Sequence, residues 1–482
     1  MRMRAACAAL ALVAILGHAG ASWSSESKDN TFPPEELIRR TVERRAVEAV
    51  IWGMPVVNYD LMLQEMIAKA KGLPNQIVYW SRLLDWKNQT LTPNPDSIYL
   101  MPFFNTKDVG PVVIEIPPAD DGSINGTIMD VWQAPLEDVG PAGVDKGRGG
   151  KYLILPPGYK DKAPDNYIVL PSQTYQGYAL LRSMLKSGSD EDVAKAVAYG
   201  LRIKIYPLSQ AANPPPTRFL DANDVVYDAT IPYDMRFFQS LNRIVQQEPW
   251  IARDRAMIDM LKSIGIDRGK PFDPDQTTQA SLNAAIREAK ALLEMRYNDL
   301  FASTPPYFDT TQWVVPALPD YIEQAGAGFS EPESYAVNDR GLLFTYAFFT
   351  PKHLGDGQFY LMAIKDKEGR NLSGANTYRL TVPENAPVKL YWSVTAYDRA
   401  THALIRDQKW SSRSSQNVEL QKNADGSVDV YFGPQAPPSR ESNWVPTNPA
   451  GDFELLFRFY GPERPLFDKT WKLPDIEKVA AQ

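Results

Sequence analysis

Forty prolines are spread through a chain of 482 residues, about 8% where about 5% is usual. Proline fixes φ and removes a backbone donor, so it is excluded from helix interiors and from central strands. Punctuation this dense predicts many short elements joined by rigid turns, with substantial β content. The 44% hydrophobic and 23% charged residues exclude collagen-like, coiled-coil and wholly disordered classes. Length alone predicts two or three domains.

Residues 1–21 have the pattern of a secretory leader: Arg2 and Arg4, an apolar run from Ala8 to Leu16, then Ala19, Gly20 and Ala21. The expectation is cleavage near Ala21 and a mature protein that is periplasmic or secreted. No other window approaches the roughly 20 apolar residues of a membrane-spanning helix, so no transmembrane segment is expected in the mature chain. Cys7, the one cysteine, leaves with the leader. Its loss excludes disulfides, thiol nucleophiles and cysteine-ligated metals or clusters from the mature protein. His18 leaves as well, and only His353 and His402 remain for imidazole chemistry. Spacing argues for no metal site, and no cofactor is identified. Loss of two arginines and no acids moves the formal charge from -7 to -9. An acidic surface of this kind repels phosphate backbones, so nucleic acid is not an expected partner.

Prolines at 33 and 34 followed by Glu35 and Glu36 mark a helix start, and Ile38, Val42, Ala46, Ala49 and Val50 continue it at helical spacing. A second helix is predicted over 60–71, stopped by Gly72 and Pro74. Between 79 and 170 the period becomes two, with strands predicted at 112–116, 127–132, 152–155 and 167–170. Helices are predicted at 175–186 and 190–199, the latter capped by Ser189. Three helical pieces follow over 232–298. Strands return at 344–349, 359–364, 377–382, 388–395, 428–432 and 453–460 with turn residues between them, the spacing of a β-sandwich or jelly roll. The fold class read from this is α+β, two β-rich domains with helices at the N-terminus and between them. The boundaries are a leader at 1–21, a polar stretch and helix at 22–57 and an N-terminal β-rich domain at 58–210. A helical connecting region at 211–335 and a C-terminal sandwich at 336–475 complete the plan.

The run Thr92-Pro93-Asn94-Pro95-Asp96-Ser97-Ile98-Tyr99, followed by Gly110-Pro111-Val112-Val113, resembles a bacterial family known as domain of unknown function 1254. The C-terminal part resembles its usual companion, domain of unknown function 1214. That likeness runs through Asp366-Lys367-Glu368-Gly369, Trp392-Ser393, Tyr397-Asp398, Asn423 to Ser427, Asn443-Trp444-Val445-Pro446 and Arg458-Phe459-Tyr460. Ser97 stands where the family usually has threonine, and Asp145 to Lys151 is more basic and glycine-rich than the family pattern. The resemblance implies two β-rich domains with helices between and around them, and it implies no settled catalytic residue or substrate.

Asn94, Asp96, Ser97 and Tyr99 put an amide, a carboxylate, a hydroxyl and a phenol within six residues at a strand entry. If they line a pocket, Asp96 can act as a general base with Asn94, Ser97 and Tyr99 as supporting donors. Turn chemistry, with Asn94 or Asp96 bonding its own backbone, is the alternative. Asp130 shares a strand face with Ile128 and Trp132, where burial would raise its pKa, or where the face is solvated. Arg413, Asn443, Trp444 and Arg458 can bind an anionic or carboxylate ligand or can brace the sandwich. Ser183 and Lys186 have Ser-x-x-Lys spacing without its companion motifs, and no nucleophile elbow, Walker loop or His-Glu-x-x-His is present. Two functions stay open. One is an exported enzyme acting on a small organic or acyl substrate at a cleft of the N-terminal β-domain, with Asp96, Asp130 and Tyr99 catalytic. The other is a non-catalytic ligand-binding or envelope interaction protein. A small-molecule ligand is expected in both, and aromatic-rich strands leave room for self-association.

Overall fold

The computed structural model describes residues 32–353 and 357–479; the expected leader and its cleavage site lie outside them. Among the described residues, eight α-helices and twenty strands form a mixed α+β protein. The apolar pattern of the N-terminal segment is compatible with a signal sequence.

The N-terminal helix is one element, Pro34–Ala68, running through Pro55 and joining what the sequence reads as separate helices within 22–57 and over 60–71. Proline removes one ladder bond, but here the helix is buried from Ala49 to Asp60. Packing on all sides therefore outweighs the local penalty. Its neighbours are the helices Met235–Gln247, Gln276–Ser303 and Val337–Tyr346. Gly341 permits one of these crossings: a Cβ there would sit 2.6 Å from the Ile51 carbonyl oxygen. The same helix is long and apolar enough to cross a membrane, contrary to the expectation from sequence, yet 89% of its apolar window is buried inside the protein. It has the character of a core helix.

The N-terminal β unit pairs a six-stranded sheet with a four-stranded one. Ile98–Asn105 and Gln176–Ser183 lie side by side at the centre of the larger sheet. Ile98, Leu100 and Phe104 pack toward the smaller sheet, against Ile114 and Ile154. Tyr99, Met101 and Phe103, on the opposite face, join the helical core. Burial on both faces abolishes alternation. That is why 175–186 reads as a helix in the sequence although Gln176–Ser183 is a fully buried strand. Ser183 ends it and donates to the Ala196 carbonyl, so it is not one helical turn from Lys186. The predicted cap at Ser189 is present, accepting from the Asp192 N–H.

In the C-terminal unit the sheet containing Gln358–Ala363, Phe453–Pro462, Val388–Asp398 and Ser412–Ser414 faces a second sheet built around Val428–Gly433 and Thr377–Val382. Leu361, Val394 and Phe457 from the first meet Leu380, Val430 and Phe432 from the second in one core, the arrangement of a sandwich. The segment 344–349, predicted as a strand, instead ends the helix Val337–Tyr346. Its aromatic residues pack into the helical core, which periodicity cannot distinguish from strand packing over so short a run.

Candidate ligand site at the seam of the two sandwiches

The strand Ile98–Asn105 is entered through the loop from Thr92 to Ser97, and this loop presses against the open face of the C-terminal unit. Asn94 Nδ2 donates to the hydroxyls of Tyr391 and Tyr460 at 2.9 and 2.8 Å. The Pro93 carbonyl accepts from Tyr397 at 2.6 Å. Within the loop, Asn94 Oδ1 accepts the Asp96 N–H at 3.0 Å, the Asx turn that its sequence allows. Asn94 N–H donates to the Tyr99 hydroxyl at 2.8 Å. Turn chemistry and contacts across the seam therefore coexist in the same residues.

Asp96 is buried, with Oδ1 accepting from the Ser412 hydroxyl at 3.1 Å and Oδ2 without a partner among the described residues. Burial pushes its pKa up to about 6, against the Ser412 hydrogen bond and the nearby Arg458 charge. The Ser97 hydroxyl and Arg413 Nε are also buried without partners among the described residues.

Beside this loop lies a cavity of about 120 Å3. Tyr321, Leu343, Phe348, Phe359, Met362 and Leu456 give it apolar walls, and Thr92, Tyr360, Arg182 and Arg458 supply its polar groups. Arg182 and Arg458 are each 2% exposed. Arg458 is held by Thr395 Oγ1 at 3.0 Å, the Thr92 carbonyl at 2.9 Å and the Tyr397 hydroxyl at 2.6 Å. Arg182 has less: its Nε donates to the Tyr99 hydroxyl at 3.4 Å, its Cζ lies 4.6 Å from the Phe349 ring centroid, and Nη1 has no partner among the described residues. Among the described residues neither guanidinium forms an ion pair with a carboxylate.

Of the loop only Thr92 lines this cavity; Asn94, Asp96, Ser97 and Tyr99 lie beside it, and Asp130, Trp132, Arg413, Asn443 and Trp444 do not line it either. Asp130 is the buried last residue of the strand Ile124–Asp130, its Oδ1 accepting from the N–H groups of Trp132 and Ala134 in the turn that follows, at 2.8 and 2.9 Å. Burial raises its pKa. Trp132 packs on Trp52 with ring centroids 4.6 Å apart. Arg413 donates to the carbonyls of Ser412 and Glu441 and lies over Trp410, and burial lowers its pKa to about 10. Asn443 donates to the carbonyls of Gln421 and Asp429, both at 2.8 Å, and accepts from Gln421 N–H, the pattern of a brace. Trp444 donates to the Gly433 carbonyl. Thus the structure brings Asn94, Asp96, Ser97 and Tyr99 together at the seam with the segment carrying Ser412 and Arg413. It leaves Asp130, Trp132, Asn443 and Trp444 elsewhere. Arg182, Tyr360, Tyr391 and Tyr460 are additions that the sequence reading did not single out. For Arg182 one signal existed, a lone charge inside an apolar run. Among the described residues no group of three or more His, Cys, Asp or Glu side chains is placed to hold a metal ion.

Comparison with known proteins places this seam between two matched regions. The model of the family described as protein of unknown function DUF1254 matches residues 74–207, and that of protein of unknown function DUF1214 matches residues 357–464. Arg182 lies in the first and Arg458 in the second. The chain is similar in structure to the VPA0106 protein from Vibrio parahaemolyticus at 16% identity and a TM-score of 0.55, covering 91% of this chain and 100% of that one. An uncharacterized protein from Burkholderia cenocepacia matches at 12% identity and a TM-score of 0.41, covering 92% of this chain and 96% of its own. No curated protein matches. At such identities the Vibrio likeness speaks for the fold alone.

Proposed function

The chain belongs to the family that pairs a DUF1254 region with a DUF1214 region, and we propose that the seam between them binds a small apolar molecule carrying one carboxylate. Arg182 carries this reading: a buried guanidinium with Nη1 unpartnered, on the wall of an apolar cavity. Burying a charge without a counter-charge costs several kcal/mol. A bound carboxylate offsets that cost, because its two oxygens match the guanidinium fork through charge-assisted hydrogen bonds. Arg458 adds a second positive charge on the same wall. The cavity, about 120 Å3, approaches the roughly 150 Å3 that admits benzene, so the apolar part of the ligand is one ring or a short branched chain.

Titration calorimetry with benzoate, benzyl alcohol and toluene tests this. Benzoate should bind more tightly than either neutral compound, and Arg182→Met should remove the difference. Equal affinity for benzoate and benzyl alcohol would take the carboxylate out of the reading.

A second reading, turnover of a bound molecule, rests on Asp96, whose carboxyl is pushed up to about 6 and keeps one oxygen without a partner among the described residues, in the loop beside the cavity rather than in its lining. Asp96 would act as the acid or base, with Asn94, Ser97 and Tyr99 supporting it. A ligand recovered unchanged after long incubation supports binding alone; a product that Asp96→Asn fails to make supports the enzyme. The leader pattern supports a periplasmic or secreted location, and fractionation of cells expressing the full chain would test it.

A further inference from the structure

A second cavity, of about 390 Å3, lies between the helix Gln276–Ser303 and the turn after the strand Val388–Asp398, and its character is the opposite of the first. Lys290, Glu294, Asn298, Asp398, Arg399 and Asp452 make it polar, and its volume lies within the range of about 300–1,000 Å3 usual for small-molecule sites. His402 lines it with a side chain 14% exposed. Behind the imidazole is Glu454, fully buried, on which three donors converge. His402 Nδ1 lies at 2.8 Å, the Tyr297 hydroxyl at 2.6 Å and Arg399 Nη1 at 3.2 Å.

This arrangement fixes the imidazole. A carboxylate on Nδ1 selects the tautomer that carries its proton there and leaves Nε2 as the lone-pair nitrogen. Nε2 makes no hydrogen bond among the described residues. The ring is packed by Tyr297 and Tyr346, with centroids 4.9 and 6.0 Å away. The backbone of His402 is left-handed, φ 56°, held by its N–H on the Asp398 carbonyl at 2.8 Å and by its own carbonyl accepting from Thr92 N–H at 2.6 Å. Side chains held at such backbone angles recur at functional sites.

We propose that this polar pocket is an acid–base site for hydrolysis of a small polar ester, with His402 as the catalytic base and Glu454 as its positioning residue. Nε2 of His402 takes a proton from a water molecule as the water oxygen bonds to the acyl carbon. The tetrahedral adduct then breaks its bond to the alcohol oxygen, which recovers the proton from Nε2. The products are a carboxylic acid and an alcohol, and no oxidant or other co-reactant is needed. Lys290 and Arg399 line the same pocket, paired with Glu294 at 3.4 Å and with Glu454 at 3.2 Å.

p-Nitrophenyl acetate is the probe, since its leaving group departs as the coloured phenolate. The wild-type protein should turn it over, and His402→Asn should lower kcat/KM roughly 100-fold. Asparagine tolerates the left-handed backbone, and circular dichroism establishes that the variant is folded. Glu454→Gln should lower kcat with KM unchanged, and His353→Gln, distant from the pocket, should leave the rate as it is. A wild-type rate no higher than that of folded His402→Asn overturns the proposal. Should that variant not fold, diethyl pyrocarbonate on the wild-type protein decides: turnover should fall in step with modification of His402, as mapped by mass spectrometry. Turnover that persists with His402 modified overturns it.

Discussion

Thr92 N–H donates to the His402 carbonyl at 2.6 Å, and both residues hold left-handed backbone, with φ of 40° and 56°. Thr92 lines the apolar cavity and His402 the polar one, so one hydrogen bond joins the walls of both. A β-branched residue is disfavoured at such an angle. What holds Thr92 there is a set of three bonds: this one, its hydroxyl on the Tyr346 carbonyl at 2.6 Å, and its own carbonyl accepting from Arg458 at 2.9 Å.

The hydroxyl bond can be removed without changing shape. Thr92→Val leaves the Tyr346 carbonyl, at the end of its helix, without that donor. The expected loss is about 1–2 kcal/mol of unfolding free energy, read from urea denaturation. An unchanged midpoint would mean that water replaces the hydroxyl.

Arg182 allows a test in which a structural role and a binding role have opposite signs. A guanidinium kept for stability leaves a destabilised protein when truncated. One kept for a ligand is a burden to the empty protein, and an apolar isostere relieves it. Arg182→Met should therefore leave the ligand-free protein as stable as wild type or more stable by about 1–4 kcal/mol, while abolishing the thermal shift given by benzoate. A loss of stability in the absence of ligand would assign Arg182 to the scaffold.

Asp96 sets a pH dependence of definite sign. Its carboxyl is raised from 3.8 to about 6 by burial, so between these values the folded state binds more protons than the unfolded one. Its contribution is complete below about pH 4 and is lost as pH rises through about 6. The size is about 3 kcal/mol. Glu248, raised to about 7, first by burial, acts in the same direction at higher pH. Unfolding free energy should fall from pH 4 to pH 8. Asp96→Asn should flatten the lower part of that fall and be the more stable protein at pH 8. A variant less stable than wild type at pH 8 would show that the seam holds the carboxylate ionised.

The sequence makes half of this seam legible. Asn94, Asp96, Ser97 and Tyr99 stand out because four hydrogen-bonding side chains crowd a strand entry, and the alternating runs on either side identify the two β units. Their partners are not legible, because Tyr391 and Tyr460 lie 297 and 366 residues from Asn94 and only the packing of one unit on the other brings them together. Arg182 was concealed by its own strand: burial on both faces removes the period of two that would have marked Gln176–Ser183 and made a charge within it conspicuous. His402 stands in the sequence only as one of two remaining histidines, since its partner Glu454 is 52 residues away. The helix Pro34–Ala68 reads as two in the sequence, because periodicity gives no measure of how far packing carries a helix through Pro55.

Asp130 separates a turn brace from a chemical group. Oδ1 alone takes both N–H bonds of its turn, and Gln133 within that turn has φ 57°. An amide oxygen can accept both bonds equally well, and it carries no buried charge. Asp130→Asn should therefore be neutral or stabilising at pH 7, whereas Asp130→Ala, which leaves two buried N–H groups without acceptors, should cost about 2–4 kcal/mol. Neither should alter benzoate affinity, because Asp130 does not line the seam cavity. Thermal melts and calorimetry on the two variants check both statements. An Asp130→Asn protein that is fully folded yet has lost ligand binding or turnover would restore the carboxylate to the functional site.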